Sequence, residues 1–85
     1  MQVLVYSTSW CRDCQEAKRF LDDNGIAYTE IDIDYDRDAE QAVLVQTGKR
    51  AVPQFVIDGE WVQPYHPDRG FLYDEMRARF GLYKA

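Results

Sequence analysis

Two cysteines separated by two residues, Cys11 and Cys14, sit where an apolar run gives way to helical spacing. This junction constrains the fold more than any other stretch of the chain. The run Val3-Leu4-Val5-Tyr6 reads as part of a short strand over residues 2–6, buried on both faces. Beyond the cysteines, Ala17, Phe20 and Leu21 fall on one stripe while Gln15, Lys18, Arg19 and Asp22 fall outside it. That spacing predicts a helix starting near Cys11 or Arg12. A thiol in the first turn of such a helix meets unpaired backbone N–H groups and the positive end of the macrodipole, both of which favour thiolate over thiol. A second thiol within disulfide reach makes the pair a reversible two-electron switch.

The rest of the chain follows as punctuated segments. Asn24-Gly25 stops the first helix. A strand then alternates, with Ile31 and Ile33 facing one way and Glu30 and Asp32 the other, which completes a βαβ unit with parallel strands. Asp36 or Asp34 caps a second helix whose inner face carries Ala39, Ala42, Val43 and Gln46, with Asp38 and Glu40 in its first turn. Thr47-Gly48 ends it. Gln54-Phe55-Val56-Ile57 and Glu60-Trp61-Val62-Gln63 flank Asp58-Gly59, a pair suited to the positive φ angles of a tight hairpin turn. A last helix is predicted from about Asp68, its N-cap, to Phe80, burying Leu72, Met76 and Phe80 in front of Gly81. The aromatic-rich tail, including Phe71, Tyr73 and Tyr83, reads as packing. The order β-α-β-α-β-β-α makes one α/β domain over residues 1–85, a four-stranded mixed sheet with helices on both faces.

Composition narrows the function. Eighty-five residues with 46% hydrophobic content bury a modest core without structural disulfides or metals. A formal charge of −5 disfavours nucleic acid and anionic membrane as partners, because both require a basic patch. No apolar run approaches the roughly 20 residues that span a bilayer, and the start has no basic region followed by an apolar one. The expected location is the cytoplasm, where Cys-x-x-Cys signifies redox or metal chemistry. The acidic run from Glu30 to Glu40 has no calcium-loop spacing and reads as a solvated strand edge and helix start.

The dithiol is the candidate catalytic pair. Cys11, nearer the helix N-terminus, is the expected nucleophile, and Cys14, one turn in, the resolving thiol; Arg12 places positive charge beside them and Asp13 opposes it. Zinc needs further ligands, and His66 is the one histidine available. A structural disulfide would close a loop too short to remove much chain entropy. A cluster bridged between two protomers, each donating Cys11, stays open. Trp10 is a candidate apolar wall for a docked substrate or a side chain packed over the first helix. Lys49 and Arg50 form either a clamp for a substrate carboxylate or a solvated basic turn. Val52-Pro53 opens an edge strand or, as a cis peptide, faces the cysteines and offers the Val52 backbone to an extended substrate. His66 is a loop residue or a proton donor to a leaving thiolate.

Tyr6 to Cys14, Thr47 to Gln54 and Val56-Ile57-Asp58-Gly59 together resemble the glutaredoxin family, in order and spacing, across essentially the whole chain. The resemblance implies a thioredoxin-like fold with strand order 2-1-3-4 and a cis Pro53. It implies a thiol–disulfide oxidoreductase in which Cys11 attacks, Cys14 resolves and Pro53 is the cis proline. Together with the residue-level readings above, the candidate substrate contacts are Trp10, Arg12, Arg50, Val52 and Pro53. No tightly bound cofactor or metal is implied. The expected partners are disulfide-containing proteins and a small thiol reductant: glutathione, mycothiol or bacillithiol. The monomer is the expected form.

Departures from the family pattern bear on the reductant. Arg12-Asp13 replaces the common Pro-Tyr, and Ala51 replaces a threonine. Gln63-Pro64-Tyr65-His66 stands where glutathione-binding members carry a double glycine that lets the backbone approach a ligand closely. Thr8 to Cys11 is similar to mycoredoxins, which serve mycothiol. Trp61 and Pro67-Asp68 are similar to the hydrogen donors of ribonucleotide reductase, which draw electrons from thioredoxin reductase. A non-catalytic iron–sulfur or redox-sensing module is the reading of a different class.

Overall fold

The computed structural model describes residues 1–82; Tyr83 lies outside them. Strand β1 (Val3–Ser7) leads through the cysteine loop into helix α1 (Arg12–Asp23), then strand β2 (Thr29–Asp32) and helix α2 (Arg37–Thr47). Strands β3 (Gln54–Ile57) and β4 (Glu60–Val62) form a hairpin, followed by a two-residue pair, β5 (Tyr65–His66) and β6 (Gly70–Phe71), and helix α3 (Tyr73–Arg79). The main sheet has the order β2-β1-β3-β4, parallel between β1 and β2 and antiparallel elsewhere. This is the mixed four-stranded sheet expected from the element order.

Strand periodicity sorts the core into two layers. Val3 and Val5 of β1 and Phe55 and Ile57 of β3 face α1 and α3, where they pack with Ala17, Phe20, Leu21, Phe71 and Met76. The opposite face carries Tyr6 and Trp61, whose rings stack at 5.0 Å, over Ile33, Ala39 and Val43. Helices therefore cover both faces, and the α1 side holds the larger aromatic cluster around Phe20, Phe55, Phe71 and Phe80.

Local signals position the loops that matter. Asp36 caps α2, its carboxylate accepting from the Ala39 N–H at 3.0 Å. Asp34, the alternative cap, is engaged elsewhere. Asp58 and Gly59 take φ angles of 50° and 86°, the pair of positive values that the hairpin turn requires.

The last helix differs from its sequence-based expectation. It begins at Tyr73 rather than Asp68, because Gly70 adopts φ 75°, outside the right-handed helical region, at the end of a turn closed by Arg69 N–H on the His66 carbonyl. Asp68 is therefore not an N-cap; its N–H donates to His66 Nδ1 at 3.1 Å. Leu72 takes the cap position without a side-chain hydrogen bond and ties back by its N–H to the Pro64 carbonyl. Of the three residues expected along this helix's inner face, Met76 is buried, while Leu72 and Phe80 are half-buried at its two ends.

Glu30 joins three elements. Its Oε2 accepts from Lys18 Nζ and from the fully buried Ser7 Oγ, each at 2.7 Å. Lys18 first, then Ser7, hold the carboxyl below its ordinary range. A carboxyl depressed in the folded state adds stability above its unfolded pKa and loses it as pH falls through the folded value. The Glu30 side chain is 40% exposed, so screening limits this effect to about 1 kcal/mol or less. We expect Glu30→Gln to destabilise by that amount at pH 7 and to match the wild type below the carboxylate range, as measured by urea unfolding across pH.

Candidate active site

The cysteine loop ends in a cap made by sulfur. Cys11 has extended backbone angles, φ −87° and ψ 115°, and its Sγ accepts a hydrogen bond from the Cys14 N–H at 3.1 Å. The helix thus delivers an N–H donor to the sulfur of its own cap residue. Both cysteines are free thiols; Cys11 is 8% exposed and Cys14 fully buried. Burial is the main cause that pushes the Cys14 thiol well above its ordinary range, and the hydrogen bond and charge of Cys11 add to it. The Thr8 backbone and Lys18 offset part of this. Cys14 accordingly rests as a protonated thiol behind Cys11. The Thr8 hydroxyl is buried with no hydrogen-bond partner among the described residues.

Cys11 opens onto a groove of about 380 Å³. One wall is the segment Lys49 to Gln54, with the Val52–Pro53 peptide bond in the cis form. Pro53 is buried, and Val52 precedes the β3 ladder. Among the described residues, the Val52 N–H and C=O enter no turn, cap or loop hydrogen bond, so this backbone is available to an extended chain. Trp10 stands on the other side, 70% exposed, its indole Nε1–H donating to Asp34 Oδ2 at 2.8 Å. It is not packed over the first helix.

The remaining candidates separate. Arg50 lines the groove, but its guanidinium is already committed: Nη2 donates to Asp34 Oδ1 at 2.6 Å and Nε to Glu40 Oε2 at 2.5 Å. Arg12 is exposed on α1 and lines a separate depression with Gln15, Glu16 and Arg19, outside the groove. His66 is exposed beside Trp61 and Gln63 in a depression that adjoins the Cys11 groove, and it does not line the groove itself. Among the lining residues not singled out as site residues from the sequence, Asp13 and Tyr65 are the ones with ionisable side chains. Asp13 is the foremost cause of a raised Tyr65 hydroxyl pKa, through its charge and also a hydrogen bond. The available signal was Pro64: lacking an N–H, it cannot extend the β4 ladder, and the next side chain turns to the groove.

A four-stranded mixed sheet with a Cys-x-x-Cys at the start of its first helix and a cis-proline opposite defines the thioredoxin-like fold class. The family model for glutaredoxin matches residues 3–62, and the chain belongs to the glutaredoxin family. The family as a whole carries out thiol–disulfide exchange with small thiols of the glutathione type. A putative glutaredoxin of Mycobacterium tuberculosis is 46% identical over 50 residues, covering 58% of this chain and 60% of the relative. The match thus spans less than two thirds of that relative's length. Among solved structures, the thioredoxin-like protein BC3987 superposes with a TM-score of 0.72 at 31% identity, covering 91% of this chain and 97% of the other. A buckwheat glutaredoxin–glutathione complex gives 0.66 at 28% identity, with 93% and 69% covered.

Proposed function

We propose that this protein reduces protein disulfides, or mixed disulfides between proteins and a small thiol, with Cys11 as nucleophile and Cys14 as resolving thiol. The observation that carries this reading is that the Cys11 sulfur and the free Val52 backbone line one groove. The Cys11 thiolate attacks one sulfur of the substrate disulfide and expels the other as a thiolate. The Cys14 thiol then loses its proton and attacks Cys11, releasing the second substrate sulfur and leaving a Cys11–Cys14 disulfide. Two electrons pass to the substrate, and an external thiol returns them. Val52 aligns the substrate by strand-like hydrogen bonds, Pro53 shapes the floor, and Trp10 supplies an apolar wall. The groove holds neither Arg12 nor an uncommitted Arg50, and we assign neither a direct substrate contact.

We place the protein in a reducing compartment such as the cytoplasm, acting as a monomer without a tightly bound cofactor. Among the described residues no helix is long and apolar enough to cross a membrane, and no three His, Cys, Asp or Glu side chains gather as a metal site. A flavin-dependent thioredoxin reductase is the second candidate source of electrons: Tyr65, from the segment that stands where glutathione-binding members carry a double glycine, lines the groove beside Cys11 and narrows the close backbone approach a small thiol would use. The test supplies the oxidised protein with glutathione, mycothiol, bacillithiol, or thioredoxin reductase with NADPH. At least one donor is expected to restore both thiols within a catalytic timescale. Reduction by dithiothreitol but by none of the four would contradict the proposal.

A further inference from the structure

The groove lies beside a cation that is already neutralised. Arg50 reaches the groove from the loop before Pro53, yet it is gripped by two carboxylates from the other side of that loop, Asp34 after β2 and Glu40 in α2. Three charged groups in contact, one positive and two negative, leave this corner with net negative charge. The Arg50, Asp34 and Glu40 side chains are 39%, 29% and 33% exposed, so a substrate could reach this corner. Of the other charged lining residues, Lys49 and Asp13 oppose each other. The Trp10 indole holds the second oxygen of Asp34, which fixes that carboxylate in its pairing position. Arg50 and Trp10 together hold the Asp34 carboxyl below its ordinary range, so the pair persists at neutral and mildly acidic pH.

We infer that Asp34 and Glu40 are specificity-determining residues, acting as an internal substitute for a substrate carboxylate on Arg50 and so biasing the groove against anionic thiols and toward uncharged or basic partners of Cys11. An incoming carboxylate must displace two partners that are already in hydrogen-bond contact and must enter a region of net negative charge. An uncharged substituent on the target sulfur meets neither cost. The inference rests on the exchange chemistry proposed above.

The test compares one peptide bearing two alternative mixed disulfides, with glutathione, which carries two carboxylates, and with 2-mercaptoethanol, which carries none. At about 0.15 M salt, where distant charges are screened, the wild type is expected to have the lower kcat/KM on the glutathione adduct. Asp34→Asn/Glu40→Gln keeps an oxygen acceptor for the indole and frees Arg50. It should raise the glutathione-to-mercaptoethanol ratio of kcat/KM by about three- to tenfold, mostly through KM. Adding Arg50→Gln should remove that gain. Asp22→Asn/Asp23→Asn removes the same charge at the far end of α1 and should leave the ratio unchanged. An unaltered ratio in the first double variant, an equal rise in the far-end variant, or a gain that survives Arg50→Gln would each overturn the inference. Absence of turnover on both adducts by the wild type would overturn the exchange reading and the inference with it.

Discussion

Cys11→Ser is expected to lower disulfide-reducing turnover by at least about 1,000-fold, the order lost when the nucleophile of a covalent mechanism is removed. The serine keeps the cap, because its oxygen can still accept from the Cys14 N–H, so the fold should be retained while the chemistry is not. Cys14→Ser should behave differently. The hydrogen bond to Cys11 Sγ comes from the backbone of residue 14 and survives the substitution. The variant should therefore still exchange with small-thiol mixed disulfides, within about tenfold of wild type, while losing turnover that ends in an intramolecular disulfide. Steady-state assays with one mixed-disulfide peptide and one protein carrying an internal disulfide separate these outcomes. Equal activity of wild type and Cys11→Ser on either substrate would remove Cys11 from the mechanism.

The largest expected effect on stability comes from Phe55→Ala. Phe55 is fully buried in β3 and contacts the rings of Phe71 and Phe80 at centroid distances of 6.5 and 6.2 Å. Truncating a buried phenylalanine costs about 3–5 kcal/mol through lost transfer energy and the cavity left behind. A domain of this size has on the order of 4–13 kcal/mol in total, so the melting temperature should fall by roughly 15–30 °C. Because Phe55 follows Pro53 and Gln54 in the groove wall, turnover should fall with the folded fraction on heating and recover on cooling. A melting shift below about 5 °C would mean that β3 is not the centre of the larger core layer.

The four strands of the main sheet and the first two helices are legible because local apolar patterning reports what is buried. The apolar run from Val3 to Tyr6, and the stripe of Ala17, Phe20 and Leu21, each need only neighbouring residues to be read; that Val3 and Val5 alone are fully covered while Leu4 and Tyr6 are half-buried follows from the packing of the sheet. Asp58-Gly59 was legible for a related reason: the turn's positive φ angles are a local demand. The start of α3 was not, because Leu72, Met76 and Phe80 have helical spacing whether the helix begins at residue 68 or 73. Gly70 and the short β5–β6 pair decide between these starts.

Within the candidate site, the thiol pair and Val52-Pro53 were legible from residue type and order. The state of Arg50 was not. Its partners lie 16 and 10 residues away, and the Trp10–Asp34 hydrogen bond spans 24, distances over which only the tertiary fold brings charges together. A basic residue before the proline suggested a clamp for an external carboxylate, whereas the fold supplies the carboxylates itself. Tyr65 was hidden for a comparable reason: its partner Asp13 lies on α1, and β4 must end, at Val62, before the two can meet.

Mass spectrometry of the trapped intermediate identifies directly which sulfur meets the substrate. Incubating Cys14→Ser with a small-thiol disulfide and mapping the adduct should find one added thiol on the peptide containing Cys11, at near-complete occupancy and within seconds to minutes. In Cys11→Ser, the buried Cys14 should remain unmodified until the protein is denatured. An adduct on native Cys14 formed at a comparable rate, or none on Cys11, would contradict the assignment.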